Sequence, residues 1–315
     1  MRPSSMQELL NILSLHKGKP FFILGNGTNT LFADGIYNGL VIHTTALNQI
    51  KIINNPPEKS CLNENLKINQ NSIPKTTVPK NLVSDNYKNA PENITNTNSN
   101  LTENFAFGED VFLSVECGVD FFDLHKFLAE NSLSGFEFAF GIPASVGGAI
   151  KGNAGAFNGA CGDFVEEITI FQKGAVKTLK KGEFQFAYRK SSLGDDAVIL
   201  SAVFRFKKGD KNLILQKQQE FWQKRKARQP LEFASAGSVF KKDGTVFPAQ
   251  IIERLGLKGM RVGGAEISQK HAGFIINTGT STASDIISLI TQIENIVKSK
   301  LNISLKREII IIPPH

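Results

Sequence analysis

Apolar residues recur along most of this chain at the spacings of helices and strands. Ser5-Met6-Gln7-Glu8 has the spacing of a capping box, and Leu9, Leu10, Ile12 and Leu13 supply an apolar face behind it, which predicts a short helix. Phe21-Phe22-Ile23-Leu24 is a compact apolar run that stops at Gly25, as a buried strand would. A polar turn, Gly25-Asn26-Gly27-Thr28-Asn29-Thr30, follows, and Leu40-Val41-Ile42 reads as another strand. Val111 to Val115 is a strand, and Asp120 caps a helix carrying Phe121, Leu124, Phe127 and Leu128.

The second half continues the alternation. Glu167 to Phe171 and Ala197 to Leu200 are strand-like, and Val203 to Phe206 alternates as a strand with one wetter face does. From about Lys217 a basic helical stretch runs into Pro230, where a new unit begins. Pro248 opens a helix bearing Ile251, Ile252 and Leu255, which Gly256 ends. Phe274 to Ile276 is a strand. Thr282-Ala283-Ser284-Asp285 is a box-like cap before a long amphipathic helix with Ile286, Ile287, Leu289, Ile290, Ile293 and Val297. Glu308 to Ile312 closes the chain as an apolar strand. Helices and strands mingle throughout, so the class is α+β.

Two stretches break the pattern. Between about Asn54 and Asn104 the chain is rich in Asn, Lys, Pro, Thr and Ser. Such a composition cannot bury enough apolar surface to offset its ordering entropy, so it is expected to be a disordered surface insertion. Gly135 to Gly159 packs glycines among small and apolar residues. Glycine weakens a helix interior. A glycine-rich backbone can also floor a flat ligand and turn N–H groups toward a phosphate. Tight turns between strands suit the same composition.

The 315 residues suit about two domains, and 41% hydrophobic with 21% charged residues is the balance of a soluble globular protein. The net charge of +7 is spread along the chain apart from Lys180-Lys181 and Lys224 to Arg228. A nucleic-acid binder would concentrate its cations on one element, so a small anionic ligand fits better. Cys61, Cys117 and Cys161 are odd in number and lack CxxC spacing, which disfavours a disulfide framework or a zinc site. His271 has no second His at ligand spacing, and no metal is expected. No run is long enough to span a membrane, and Leu9 to Leu15 is not a signal peptide, so a cytoplasmic protein is expected.

Taken singly, the candidate chemical motifs are weak. The turn after the first strand can form an anion nest, but it matches neither GxGxxG nor the P-loop pattern. Arg189, in Tyr188-Arg189-Lys190-Ser191-Ser192, can hold a carboxylate bidentately. Ser238 follows Ala236-Gly237 with no nucleophile elbow around it. Glu308 at the edge of an apolar strand either faces water or is held and tuned in a site.

In order, LGNGTNTLFADG, GIPASVGGAIKGNAGAFNG, FAYRKSS, RQPLEFASAGSVFK, RLGLKGMRVGGAEISQKHAGFIIN and LKREI resemble the UDP-N-acetylenolpyruvoylglucosamine reductase family, bacterial cell-wall flavoenzymes. Order and spacing agree over most of the chain outside residues 51–104. The resemblance implies a bipartite FAD-binding domain of the vanillyl-alcohol-oxidase/PCMH type plus a smaller α+β substrate-binding domain. It divides the chain into FAD-binding parts at 1–50 and 105–216, the insertion at 51–104, a substrate-binding domain at 217–302, and a strand at 303–315 returning to the active site. The cofactor is FAD, with NADPH as co-substrate. The diphosphate would lie over Gly25, Asn26, Gly27, Thr28, Asn29 and Thr30 and over Gly141, Ile142, Pro143, Ala144 and Ser145. Gly147, Gly148, Asn153 and Ala154 would line the flavin.

The reaction implied is reduction of the enolpyruvyl ether of UDP-N-acetylglucosamine to the lactyl ether of UDP-N-acetylmuramate, a step of peptidoglycan precursor synthesis. Arg189 and Glu308 would stabilise charge on the substrate carboxylate, and Ser238 would donate a proton. Tyr188, Arg189, Gln229 and Lys242 would contact the substrate. The implied enzyme is a monomer of the shorter, loop-less type, and it binds no nucleic acid. The sequence departs from the family in having Met1 almost directly before the first helix, so that an N-terminal strand is expected to be missing. Ala144 stands where the family commonly has Gly, and Lys242-Asp243 follow the Phe-Lys pair. Another FAD-dependent oxidase or dehydrogenase of the same fold and a non-catalytic FAD- or nucleotide-binding remnant are the alternatives.

Overall fold

Short local signals start the helices of this computed structural model, which describes residues 1–16, 18–53 and 108–314. Ser5 caps α1 (Met6–Leu15) by accepting the Glu8 N–H at 3.2 Å. Glu8 does not close the expected box on Ser5; its carboxylate instead accepts from the backbone and hydroxyl of Ser4 at 2.7 and 2.8 Å. Asp120 caps α2 (Phe121–Glu130) through the Phe122 N–H. The glycine-rich stretch contains a helix, α3 (Val146–Lys151), contrary to the expectation from helix propensity. Ser145 caps it, and a β-carbon at Gly147 would lie 3.2 Å from the Cys117 carbonyl oxygen, so glycine there permits close packing that offsets its propensity cost. The remaining helices are α4 (Lys211–Arg228), α5 (Pro248–Arg254) and α6 (Ala283–Leu301). None of the described helices is long and apolar enough to cross a membrane.

The chain divides into two compact units. The first holds Met1–Asn26 and the described parts of Gly39–Pro79 and Pro91–Trp222; the second holds Gly27–Asn38 and Gln223–His315 as far as they are described. The division between the units falls inside α4, which begins at Lys211 where a helical stretch was expected from about Lys217.

The first unit is built on a six-stranded sheet. Its order is Ala175–Lys180, Val165–Gln172, Val198–Lys208, Asp110–Glu116 and Ile50–Ile53, with Leu133–Ser134 pairing the end of Val198–Lys208, and every pair is antiparallel. The two strands expected at 197–200 and 203–206 are one strand with register shifts after Ile199 and Val203. A bulge resets the period of two, which is why the pattern reads as two pieces. Residues 51–53, expected within the insertion, complete the edge strand, with Ile52 opposite Leu113. The rest of the expected insertion lies outside the described residues. The parallel pair Phe21–Leu24 and Leu40–His43 belongs to the same unit. Met1 lies along it, its ammonium donating to the Val41 carbonyl at 2.6 Å and its carbonyl accepting from the His43 N–H at 2.8 Å. Phe121, Phe136, Phe204 and Phe206 are among the core residues, fully buried.

The second unit packs α5 and α6 with the three-stranded sheet of Arg261–Val262, Ala265–Ile267 and Ile275–Asn277. Leu289, Ile290, Ile293 and Val297 form the buried face of α6. Thr282 and Asp285 make the reciprocal capping box at its start, as expected. Residues 27–38 group here because Thr30–Phe32 pairs in parallel with Ile310–Ile312. The closing strand expected at 308–312 is shorter and begins at Ile310. Lys306–Arg307 pairs with Phe240–Lys241, Ile310–Ile312 pairs with Thr30–Phe32, and Glu308 stands between the two ladders.

Candidate functional site

In the first unit the candidate cofactor residues gather where Phe21–Leu24 ends and α2 and α3 begin. Gly25 approaches Ser145 so closely that any side chain there would strike the Ser145 hydroxyl. Asn26 donates its amide N–H to the Asp120 carboxylate, which also accepts the Phe122 N–H at 2.7 Å. Burial pushes the Asp120 carboxyl above the usual carboxylate range, against these two hydrogen bonds. Asp120 was legible only as a helix cap; its contact with Asn26, 94 positions away, has no sequence signal.

The stretch from Gly141 to Gly148 is anchored through its backbone. Gly141 has φ +81°, the Ala144 carbonyl accepts the Phe121 N–H at 2.9 Å, and the Val146 and Gly147 N–H groups donate to the carbonyls of Val119 and Cys117. Ile142 donates to Ala139, and Gly148 to the Ser145 hydroxyl at 3.4 Å. Of the N–H groups in Gly141 to Ser145, that of Ile142 is engaged within the fold, and the bonds of Val146, Gly147 and Gly148 fix the helix start that follows.

Asn153 is buried at φ +43°, and its side chain is occupied at both ends. It donates to the Ala187 carbonyl at 2.9 Å and accepts the Gly162 N–H at 2.9 Å. Its neighbour Ala154 donates to Ala149 and accepts from Cys161. Arg189 sits at the turn of the hairpin formed by Phe186–Ala187 and Lys190–Ser191, at φ +55°, with Nη1 donating to the Gly155 carbonyl at 3.0 Å. A left-handed arginine is uncommon, and here the tight hairpin turn imposes it. Its guanidinium lies 5.3 Å from the ring centre of the exposed Tyr188.

The second unit brings together Asn29, Ser238 and Glu308. Gly237, at φ +78°, delivers Ser238, and the Val239 N–H donates to the Gly273 carbonyl at 2.9 Å. The Ser238 hydroxyl lies 3.4 Å from the Phe240 carbonyl. Glu308 donates its N–H to the Val239 carbonyl at 2.8 Å and accepts the Asn29 side-chain amide on its own carbonyl at 3.2 Å. Thr28 presents its carbonyl toward Gly237, and Thr30 donates its N–H to Gly27. His271 accepts the Gly273 N–H on Nδ1 at 3.0 Å, and burial lowers its affinity for a proton. Gln229 continues from α4 by donating to Arg225, and Lys242 is exposed over the Phe247 ring.

Cys117 and Cys161 are free and buried, and burial pushes the Cys117 thiol up to about 12, which makes it inert at neutral pH. No group of three potential metal ligands occurs among the described residues.

Comparison with known proteins places this geometry in a family. Residues 96–178 match the FAD binding domain, and residues 229–312 match the UDP-N-acetylenolpyruvoylglucosamine reductase, C-terminal domain. The chain is 35% identical to the UDP-N-acetylenolpyruvoylglucosamine reductase of Clostridium tetani, over 98% of this chain and 84% of that protein. It is 44% identical to the reductase of the same name from Pseudothermotoga lettingae, over 67% and 75% of the two chains. The crystal structure of UDP-N-acetylenolpyruvylglucosamine reductase from Thermus caldophilus superposes with a TM-score of 0.69 at 27% identity, covering 99% of this chain and 91% of that one. This chain belongs to the UDP-N-acetylenolpyruvoylglucosamine reductase family.

Proposed function

We propose that this chain reduces the enolpyruvyl ether of UDP-N-acetylglucosamine to the lactyl ether, with FAD as its cofactor and NADPH as the reductant. FAD, when bound, carries the hydride from the nicotinamide to the terminal carbon of the enolpyruvyl group. The donor chemistry of the first unit fits that cofactor: Gly25, Asn26 and Ser145 offer backbone, amide and hydroxyl groups beside a glycine-rich floor, and the Asp120 carboxyl that meets Asn26 has its charge disfavoured by burial. In this reading Gly25 to Thr30 and Gly141 to Ser145 hold the diphosphate, with Gly147, Gly148, Asn153 and Ala154 along the flavin. Tyr188, Gln229 and Lys242 contact the sugar nucleotide.

The remaining chemistry falls to three side chains. Negative charge develops beside the carboxylate of the substrate as hydride arrives. The Arg189 guanidinium is suited to stabilise it, and Glu308 assists at the substrate carboxylate. Ser238 gives its hydroxyl proton to the carbanionic carbon, completing the lactyl group. A serine is a weak acid, but a strongly basic enolate at contact distance needs no stronger one.

The observation that carries this reading is the hydrogen bond from the Glu308 N–H to the Val239 carbonyl at 2.8 Å, which holds Glu308 beside the residue that follows Ser238. The test is rapid-mixing spectroscopy of Ser238→Ala. Reduction of the flavin by NADPH should persist, and reoxidation by the enolpyruvyl substrate should slow by orders of magnitude. Near-normal turnover would sink the proton-donor assignment. The same reading takes the working unit as a monomer located in the cytoplasm, where NADPH and sugar nucleotides are found.

A further inference from the structure

The turn carrying Asn29 is expected to hold the cofactor diphosphate, yet its side chain faces elsewhere. Glu308 lies in the gap between two ladders, where the chain leaves Phe240–Lys241 and joins Thr30–Phe32. A residue in such a gap loses the ladder partners that would otherwise orient its peptide groups. The Glu308 N–H donates to the Val239 carbonyl at 2.8 Å, and its carbonyl receives the Asn29 amide N–H at 3.2 Å. Asn29 also takes the Ile310 N–H on its own carbonyl at 3.0 Å, so it grips both sides of the 308–310 bend. Beyond it the parallel ladder runs Thr30 to Ile310, Leu31 to Ile311 and Phe32 to Ile312.

We infer that Asn29 is a positioning residue for Glu308: it fixes the peptide plane at 308–309, and so the direction of the carboxyl that meets the substrate. The inference rests on the reading of Glu308 given above. It assigns the side chain of Asn29 to the protonation half of the reaction and leaves only its backbone in the loop that holds the diphosphate. An amide is suited to this because it donates to a carbonyl, whereas Asp at the same place would set a carboxylate oxygen against it. Loss of the contact removes one of the bonds that hold the bend, and a misplacement on the order of 1 Å at a reacting group can cost roughly 10²-fold.

The experiment compares Asn29→Ala, Asn29→Asp, Glu308→Gln and the Asn29→Ala/Glu308→Gln pair. FAD affinity of the apoprotein is measured by flavin fluorescence, and reoxidation of the reduced, FAD-saturated enzyme by the enolpyruvyl substrate is followed in rapid mixing. Asn29→Ala and Asn29→Asp should slow reoxidation by about ten- to a hundredfold while FAD affinity stays within about threefold. In the pair, the Asn29 change should add almost nothing to the Glu308→Gln defect, since both act on one group. Normal reoxidation in saturated Asn29→Ala overturns the inference, as does full additivity in the pair. Normal reoxidation in Glu308→Gln, in contrast, overturns the reading of Glu308 itself.

Discussion

A β-carbon added to Gly25 would lie 2.0 Å from the Ser145 hydroxyl oxygen and 3.0 Å from its Cβ. Gly25 follows the strand Phe21–Leu24, and Ser145 caps α3, so the glycine lets the turn after that strand touch the start of the helix. The helix is only 6 residues long and has little of its own to keep its register if the cap moves.

Gly25→Ala should therefore displace Ser145, costing about 1 kcal/mol of capping and about 1–3 kcal/mol of overpacking. We expect a clear fall in melting temperature and at least about a tenfold loss of FAD affinity, one decade being about 1.4 kcal/mol. Adding Ser145→Ala removes the hydroxyl that the new methyl strikes and should recover part of both losses. Thermal melts and FAD titration of the two proteins check this. A single variant that melts and binds as the parent does would show that the loop can give way without consequence.

Asp120 makes a pH prediction. Burial raises its carboxyl above the unfolded value, so the folded state holds the proton more tightly than the unfolded chain. Its contribution to stability is thus complete below the ordinary carboxylate range and is lost as pH rises through the raised folded value. Asp120→Asn keeps a side-chain oxygen for the Phe122 N–H and abolishes the titration. The stability difference, parent minus Asp120→Asn, should fall with rising pH across that window and be flat above it. Urea unfolding at closely spaced pH values measures the difference, and a rise with pH would refute the burial argument.

The parts legible in the sequence are those whose cause is local. Thr282 and Asp285 announce α6 because the reciprocal cap spans only four residues, and Pro248 and Gly256 bracket α5 by equally local means. What the pattern hid depends on distant partners. Gly147 and Gly148 argue against a helix until the backbone of Cys117 is known to lie against Gly147. Thr30–Phe32 joins the second unit because it pairs with Ile310–Ile312, and no periodicity encodes a parallel partner so far along the chain. Ser238, Arg189 and Glu308 were named through the order of six short motifs. Their individual settings in the sequence are ordinary, and the engagement of Asn29 with Glu308, 279 positions away, has no local signal.

Asn153 yields the last prediction, because its side chain joins two segments that the sequence keeps apart. One end holds the Ala187 carbonyl, two residues before Arg189, and the other holds the Gly162 N–H. The residue is buried and its φ of +43° is one that Asn tolerates better than most side chains do. Asn153→Ala would leave both backbone groups without this partner, at about 1–3 kcal/mol each if they stay dry. Asn153→Gly relieves the backbone strain yet still loses the two bonds, so it should fall between Ala and the parent. Asn153→Asp keeps an acceptor for Gly162 while setting a carboxylate against the Ala187 carbonyl. Loosening at Ala187 frees the Phe186 to Ser191 hairpin, so KM for the sugar nucleotide should rise in all three variants more than kcat falls. Urea unfolding combined with steady-state kinetics reads both effects. If Asn153→Ala unfolds at the parent's urea concentration and loses only FAD affinity, the side chain serves the flavin and not the fold.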